Sequence, residues 1–257
     1  AGQYTLTMDL FRKKENIKLS PRLKHELKQG TQLGHTKKAD SKYIFRVMLD
    51  PGHGGIDGGA RGVTGLLEKN VTLSFAKGLQ QVLQKVPGIK VALTRNTDVF
   101  VPLAKRVEKA QNFGADLFIS IHADTINIAT LRGATVYTLS DSASDDVAQA
   151  LAESQNSVDS LGGVSWEKPK EIRDILIDLT RKETHTFSVV FADKLVANFR
   201  NNSVKIIKNP HRYAGFRVLK APDIPSVLLE LGYLSNREDE ALFKTFSWSR
   251  KTIQAIA

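Results

Sequence analysis

Short apolar runs bounded by polar or turn residues recur from residue 44 to the end of the chain. They predict strands over residues 44–49, 90–94, 117–121, 133–139 and 227–229, with further candidates at 204–207 and 216–219. Apolar positions at near-helical spacing predict helices over residues 70–86, 103–113 and 238–246, with another short helix after Ser249. Strands that alternate with helices are typical of an α/β domain.

The stretch between Ser140 and Asn201 contains no strand-like run. Helical patterns cover residues 141–159, and then residues 171–200 as one long helix or two. Roughly sixty residues of helix is long for a connection between strands, since the usual connection has about 4–6 residues. We therefore expect the helical insertion, at about residues 140–200, to carry a function.

Two segments precede the α/β pattern. Residues 4–10 alternate in polarity with a period of two, as a half-buried strand does. A lone strand is not stable, so residues 1–10 are expected to be the remnant of an N-terminal domain or to pair with the main sheet. Residues 11–42 are rich in lysine and predict a basic linker or a surface arm. The first residue, Ala1, is not a methionine, which indicates a piece of a longer protein.

Charge and composition narrow the classes of partner. A net charge of +10 favours a polyanion such as nucleic acid, acidic lipid or an anionic cell-wall polymer, although surplus surface lysine explains it equally well. Aromatic residues make up only 7% and no known nucleic-acid-binding motif is present, which argues against nucleic acid. No apolar run reaches about 18 residues, so no membrane span is predicted.

Two histidines stand where apolar strands are expected to end. His53 follows the strand at 44–49 in a glycine-rich turn, and His122 follows the strand at 117–121. Parallel α/β sheets bind ligands at the carboxyl ends of their strands. With no cysteine in the chain, a zinc ion has only histidine and carboxylate ligands available. His53, Glu68 and His122 form the set of three protein ligands that catalytic zinc sites use. The alternative for the turn at His53 is a glycine-rich phosphate loop or a plain turn.

Glu230 ends the apolar run at 227–229, where an unpaired carboxylate is costly to bury. A carboxylate beside a metal site can act as general base and then general acid. The alternative for Glu230 is a salt bridge to Arg61 or Arg95. The alternative for Glu68 is a charge that stabilises a helix N-terminus.

Several other polar residues receive secondary interpretations. Asp50 is a candidate hydrogen-bond partner for the loop amides or for the second ring nitrogen of His53, and Asp124 is a candidate support for His122. The remaining histidines are expected to be solvated rather than to bind metal: His25, His35, His185 and His211.

Five sequence blocks, in order, resemble the zinc-dependent N-acetylmuramoyl-L-alanine amidases of the amidase-3 family, and in particular the cell-division type. The blocks are Leu-Asp-Pro-Gly-His53-Gly-Gly, Glu68-Lys-Asn, Leu-Thr-Arg95-Asn-Thr-Asp, Ala-Asp-Leu-Phe-Ile-Ser-Ile-His122-Ala-Asp and Pro-Ser-Val-Leu-Leu-Glu230-Leu-Gly-Tyr-Leu-Ser-Asn. The resemblance covers residue 44 to the C-terminus. One departure, Gly58-Gly59-Ala60 in place of a common Pro-Gly-Ala, leaves the proposed ligands untouched.

The resemblance implies a single mixed sheet flanked by helices over residues 43–257. It implies Zn²⁺ bound by His53, Glu68 and His122, with Glu230 as the catalytic carboxylate. The reaction would hydrolyse the amide between N-acetylmuramic acid and L-alanine of the peptidoglycan stem peptide, during septal cell-wall splitting and daughter-cell separation in the periplasm. The segment 1–10 resembles the end of an AMIN domain, a targeting module. The enzyme is expected to be a monomer.

The helical insertion also resembles that of the cell-division amidases, in which a helix blocks the site until a LytM-type activator, similar to EnvC or NlpD, displaces it. The family's zinc-capping glutamate matches Glu153, in Leu151-Ala-Glu153. Glu153 lies about 200° around the helix from Leu151 and so points away from the apolar stripe. The alternative is a solvated glutamate, and Glu167 and Glu171 are further candidates. The resemblance therefore implies an autoinhibited enzyme.

Two other functions remain as alternatives. A different zinc-dependent cell-wall hydrolase, a carboxypeptidase or a deacetylase, would use the same types of ligand. A basic polyanion-binding module without catalysis would need no metal at all.

Overall fold

The structure, a computed structural model, describes residues 43–163 and 175–257. Residues 44–257 form one compact unit. The predicted strand at 4–10 and the linker at 11–42 lie outside the described residues, and so do Glu167 and Glu171; these stay predictions. Within the described residues, no helix is both long enough and apolar enough to cross a membrane.

Six strands form a single mixed sheet, which confirms the predicted fold class. The strands are β1 (Phe45–Pro51), β2 (Ile89–Leu93), β3 (Leu117–His122), β4 (Ala134–Leu139), β5 (Ile206–Ala214) and β6 (Ser226–Glu230), and their order across the sheet is β2-β1-β3-β6-β4-β5. β2, β1, β3 and β6 run parallel, whereas β4 is antiparallel to β6 and parallel to β5. The polar ends of β1, β3 and β6 therefore meet at one edge.

Helices cover both faces of this sheet, because the strands are apolar on both sides. The helices are α1 (Glu68–Leu83), α2 (Leu103–Phe113), α3 (Asp146–Asn156), α4 (Ile175–Asn201), α5 (Arg237–Phe243) and α6 (Phe246–Ile256). α1 and α4 pack on the sheet, and α6 packs against both of them. Buried residues of α2 and α3 share a hydrophobic cluster with Phe118, Tyr137 and Leu228 of the sheet.

Local sequence explains where several elements begin and end. α2 ends at Gly114, which has φ 65° and satisfies the left-handed position predicted from the sequence. α3 begins after Asp145, whose side chain accepts a hydrogen bond from the amide of Ala148. α3 stops at Asn156, and a 3₁₀ turn (Val158–Gly162) follows it.

Three sequence expectations about secondary structure are corrected. Residues 217–219 form a 3₁₀ turn rather than a strand: Phe216 packs edge-on against Tyr137, with ring centroids 5.3 Å apart, so core packing explains the apolar run. The helix expected over 238–246 ends earlier, at Phe243, and the short helix expected after Ser249 begins earlier, at Phe246. β5 is longer than expected and includes Pro210, which an edge strand tolerates.

Candidate metal centre

Three of the residues singled out in the sequence meet at the carboxyl edge of the sheet. One ligand atom each from His53, Glu68 and His122 lies within 4.8 Å of the other two, and all three residues are buried. Nε2 of His53 lies 3.0 Å from one oxygen of Glu68, and Nδ1 of His122 lies 3.0 Å from the other. This group can hold a metal ion.

Sheet topology creates this meeting point. β1 and β3 are adjacent, so the turn after Pro51 carries His53 close to His122, the last residue of β3. Glu68 is the first residue of α1, so the start of that helix brings its carboxylate to both histidines. The carboxylate of Glu68 also accepts hydrogen bonds from the amides of Ala60 and Ala123, which fix its orientation.

Asp57, which the sequence analysis did not single out, supports His53. Its Oδ2 lies 2.8 Å from Nδ1 of His53, and its Oδ1 accepts a hydrogen bond from the amide of Gly59. Asp50, the sequence candidate for this role, instead pairs with Arg106 at 2.8 Å beneath the turn. The sequence did contain a signal for this contact, because Asp57 lies only four residues after His53 in the same glycine-rich turn.

Two glycines allow the backbone to approach the metal group closely. A Cβ added at Gly59 would lie 2.6 Å from the ring of His53 and 2.7 Å from the carboxylate of Glu68, and Gly59 has φ 65°. A Cβ added at Gly52 would lie 2.3 Å from the ring of His122. The metal group is therefore packed against backbone on two sides.

The buried histidines and Glu68 shift each other's pKa values in opposite directions. Burial acts to raise the pKa of Glu68, but the two histidines outweigh it and hold that pKa well below its usual value. Burial acts to lower the pKa of His53, but Glu68 and Asp57 raise it to about 10. Without a metal, the ring of His53 is therefore protonated at neutral pH.

Glu230 ends β6 directly beside His122, its register partner on β3. One carboxylate oxygen accepts a hydrogen bond of 3.1 Å from the amide of Asp124, and the other is buried without a hydrogen-bond partner among the described residues. Burial, together with the charges of Glu68 and Asp124, raises the pKa of Glu230 well above its usual value. Within the described residues, no salt bridge joins Glu230 to an arginine.

The structure corrects the sequence expectation for α3. Glu153 lies on the exposed face of α3, where it accepts a hydrogen bond from Gln149, so its carboxylate does not face the metal group. The residue of α3 that reaches the group is Gln155, whose Nε2 lies 3.0 Å from Asp124 and 3.4 Å from Nε2 of His53. The apolar side of α3 packs onto the domain, so its opposite side faces solvent.

Helical geometry offered a signal for Gln155. It lies four residues after Leu151, which places it about 40° from Leu151 around the helix. Leu151, Ala152 and Gln155 are all buried. Together with Asn156 and Val158, Gln155 lines a cavity whose floor is His53 and His122.

A metal-type His-Glu-His group beside a buried, partly unpaired carboxylate, at the strand ends of an α/β sheet, defines a candidate metal-dependent hydrolase. The chain belongs to the amidase-3 family, described as N-acetylmuramoyl-L-alanine amidase, whose model matches residues 47–257.

Two curated relatives are similar over most of this chain. The N-acetylmuramoyl-L-alanine amidase AmiC of Escherichia coli is 42% identical over 211 residues, which cover 82% of this chain and 50% of AmiC. The N-acetylmuramoyl-L-alanine amidase AmiA of Salmonella typhimurium is 40% identical over 233 residues, which cover 88% of this chain and 79% of AmiA. The chain therefore spans half the length of the first relative and most of the second.

Among solved structures, the N-acetylmuramoyl-L-alanine amidase AmiC2 of Nostoc punctiforme matches with a TM-score of 0.60 and 28% identity, covering 85% of this chain and 94% of AmiC2. The catalytic domain of CwlV, an N-acetylmuramoyl-L-alanine amidase of Paenibacillus polymyxa, matches with a TM-score of 0.60 and 26% identity, covering 83% of this chain and 94% of that domain.

Proposed function

We propose that the protein is a zinc-dependent N-acetylmuramoyl-L-alanine amidase that hydrolyses the amide between N-acetylmuramic acid and L-alanine of the peptidoglycan stem peptide. The observation that carries the proposal is the placement of Glu230 beside the group formed by His53, Glu68 and His122. The names of the family and of its relatives supply the substrate. The net charge of +10 suits an anionic cell-wall polymer.

Two imidazoles and one carboxylate are ligands that zinc accepts. Their ligand atoms lie within 4.8 Å of one another, close enough to bind the same ion. Zinc held there would supply Lewis-acid polarisation of the amide carbonyl and lower the pKa of a water molecule. Asp57 holds the ring of His53 in one orientation. The backbone amides of Ala60 and Ala123 keep the carboxylate of Glu68 turned toward both rings.

Glu230 would move the proton in this reaction. Its free oxygen accepts a proton from the attacking water, and the same carboxyl then delivers the proton to the leaving nitrogen of L-alanine. The oxygen of water bonds to the lactyl carbonyl carbon, and the bond between that carbon and the nitrogen breaks. The products are a lactyl carboxylate and the free amine of L-alanine. Burial raises the pKa of Glu230, which favours the protonated form that returns the proton to the amine. The positive charge of a zinc ion held nearby would favour the ionised form that first accepts the proton from water.

Product analysis tests the bond that is cleaved. Purified sacculi digested with the zinc-loaded protein are expected to release intact stem peptides that begin at L-alanine, leaving the glycan strands whole, as mass spectrometry would show. Shortened stems would indicate a carboxypeptidase, and released acetate would indicate a deacetylase; either would overturn the proposal. The His53→Ala variant is the matched control and should release nothing. A polyanion-binding module would bind sacculi equally well with or without His53.

We further infer that the isolated enzyme is autoinhibited by α3. His53 and His122 expose only 5% and 4% of their surface, so a polymeric substrate cannot reach them in this conformation. Gln155 caps the group from above through Asp124. A glutamine is a weaker metal ligand than a carboxylate, so the cap acts mainly by steric cover and hydrogen bonding.

Contacts at the end of α3 hold it in the covering position. The side chain of Asn156 donates to the carbonyl of Gly215 and accepts from the amide of Arg217. In the following 3₁₀ turn, Asp159 accepts a hydrogen bond from the amide of Leu103, the first residue of α2. A binding partner that moves α3 would have to replace these polar contacts and also the packing of Leu151 and Ala152 in the hydrophobic cluster.

The partner we propose is a LytM-type activator, similar to EnvC or NlpD, acting in the periplasm during septal cell-wall splitting. The activator would bind the insertion and move α3 away from the metal group. Adding the activator domain should stimulate the parent protein strongly and a variant already released from α3 only slightly. Cells lacking the protein should form chains, and both complementation and a septal position of a fluorescent fusion test the cellular role.

A further inference from the structure

The turn that carries His53 has an unusual backbone. His53 has φ 61°, and the next two residues, Gly54 and Gly55, have φ 128° and 60°. Glycine adopts such angles freely, but a side chain with a Cβ at positive φ is unfavourable. The position of the His53 ring is therefore not maintained by the local backbone preference, and other contacts must hold it.

The ring itself pairs with Asp57 and Glu68. The backbone of the turn is held by two buried guanidinium groups. Arg106 donates through Nη1 to the carbonyl of Pro51 and through Nη2 to the carbonyl of His53, at 2.8 and 2.9 Å. Arg95 donates to the carbonyls of Pro51 and Gly52, at 2.9 and 2.8 Å. Three successive carbonyl groups, of the last residue of β1 and the two residues after it, thus find partners in arginine side chains.

Only Arg106 bonds to the residue in the metal group. It lies in the first turn of α2, is 2% exposed and pairs with Asp50 at 2.8 Å. Its Nε also donates to the carbonyl of Val101 at 2.8 Å. The guanidinium therefore has fixed partners on every side, and its planar fork spans a distance that the point charge of a lysine does not.

We propose that Arg106 is a positioning residue of the metal centre, which holds His53 in its left-handed conformation through the carbonyl group and so sets its ring for metal binding. This inference rests on the proposed role of His53 as a metal ligand. The affinity for the metal would then depend in part on the hydrogen bond from Arg106 to the backbone carbonyl of His53.

The test measures zinc affinity, which a purely structural role would leave unchanged. Arg106→Lys keeps the charge near Asp50 but cannot hold both carbonyls. Its zinc Kd, measured by competition with a chromophoric chelator, should be weaker by about 10–100-fold, the usual effect of losing a partner of a metal ligand. The visible spectrum of the Co²⁺-loaded variant should differ from that of the parent, since the ring of His53 is displaced.

Leu79→Ala is the control for general destabilisation, because Leu79 is fully buried in α1, eleven residues after Glu68. It should lower the Tm of the metal-free protein and leave the zinc Kd and the Co²⁺ spectrum as in the parent. If Arg106→Lys does not fold, the double variant Asp50→Asn/Arg106→Gln replaces it, because removing both partners leaves no unpaired buried charge.

Three outcomes count against the inference. A folded Arg106 variant with the parent's Kd and spectrum overturns it. Equal weakening by Leu79→Ala also overturns it, because the effect would then follow stability alone. A parent protein that binds no stoichiometric zinc overturns the proposed function itself, and that result is distinct from the other two.

Discussion

The side-chain amide of Gln155 donates a hydrogen bond of 3.0 Å to Oδ2 of Asp124, and this contact joins the helical insertion to the strand end that carries His122. Asp124 in turn donates its backbone amide to Glu230. The cover of the site and its candidate catalytic carboxylate are therefore two hydrogen bonds apart. A movement of α3 therefore changes the hydrogen bonding of Asp124, whose amide bonds to Glu230.

Removing the side chain of Gln155 should raise basal activity. Gln155→Ala deletes the contacts to Asp124 and His53 and leaves the rest of α3 in place. We expect several-fold faster release of dye from labelled sacculi without activator. Glu153→Ala is the matched control, because Glu153 lies on the exposed face of the same helix; it should behave as the parent. Stimulation by Glu153→Ala, with Gln155→Ala unchanged, would contradict the structure.

Glu230→Gln should abolish turnover and preserve metal binding. The amide keeps the size of the side chain but cannot accept and return a proton, so kcat should fall by about 10²–10⁴-fold. Zinc content, measured by elemental analysis, should equal that of the parent, because Glu230 is not part of the His-Glu-His group. Activity within tenfold of the parent would exclude Glu230 as the proton carrier.

Gly59→Ala should disrupt the metal group directly. The new methyl group would lie 2.6 Å from the ring of His53, at a residue whose φ of 65° already disfavours a Cβ. We expect zinc affinity to fall by at least about tenfold, as for loss of a supporting contact. Gly58→Ala is the neighbouring control, since its nearest contact is a flexible leucine methyl group at 3.9 Å. Equal zinc Kd values for the two variants would refute the close packing.

Zinc binding to the metal-free protein should release a proton at neutral pH. The pKa of His53, lowered by burial but raised more by Glu68 and Asp57, is about 10, so the ring is protonated at pH 7. A metal ligand must be neutral, so affinity should rise by about tenfold per pH unit while one proton is displaced. Calorimetry in two buffers of different ionisation enthalpy measures the number released. Asp57→Asn should lower the pKa of His53 and the number of protons released.

The stability of the metal-free protein should depend on Asp50 at acid pH. Burial acts to raise the pKa of Asp50, but Arg106, Thr94 and Ser120 hold it below its usual value of 3.8. Its contribution is therefore complete above pH 3.8 and is lost as the pH falls through the lower folded-state value.

Asp50→Asn tests this dependence. Leaving Arg106 without its charged partner should cost about 3–5 kcal/mol at pH 7. The difference in Tm from the parent, measured by circular dichroism in EDTA, should shrink below pH 4. The exposed Asp141→Asn variant should match the parent throughout. A difference that does not depend on pH would show that folding does not lower the pKa of Asp50.

Much of this arrangement follows from sequence pattern. The apolar runs before His53, His122 and Glu230 predicted three strand ends, and parallel pairing brings such ends together. The mistaken strand at 216–219 has the same origin, because an apolar run records burial and does not distinguish a strand from a packed turn.

The hydrogen-bond partners of the site residues were harder to predict from the sequence. Arg106 lies 53 residues from His53, and Gln155 lies 31 residues from Asp124. Neither separation leaves a periodic signal, because each contact depends on how a helix packs over the sheet. Within α3, Glu153 lies on the exposed side, whereas Gln155 shares the buried side with Leu151 and Ala152.

The sequence alone determined the α/β class, the strand ends and the four residues that meet there, because hydrophobic periodicity and short-range turn chemistry are local properties. Only the tertiary structure decided that Asp57 supports His53, that Arg106 holds its carbonyl and that Gln155 covers the group. The contact of Asp57 depends on the folded shape of the turn after β1, and the other two depend on how α2 and α3 pack on the sheet. Packing of that kind is a property of the whole domain, which no single stretch of sequence encodes.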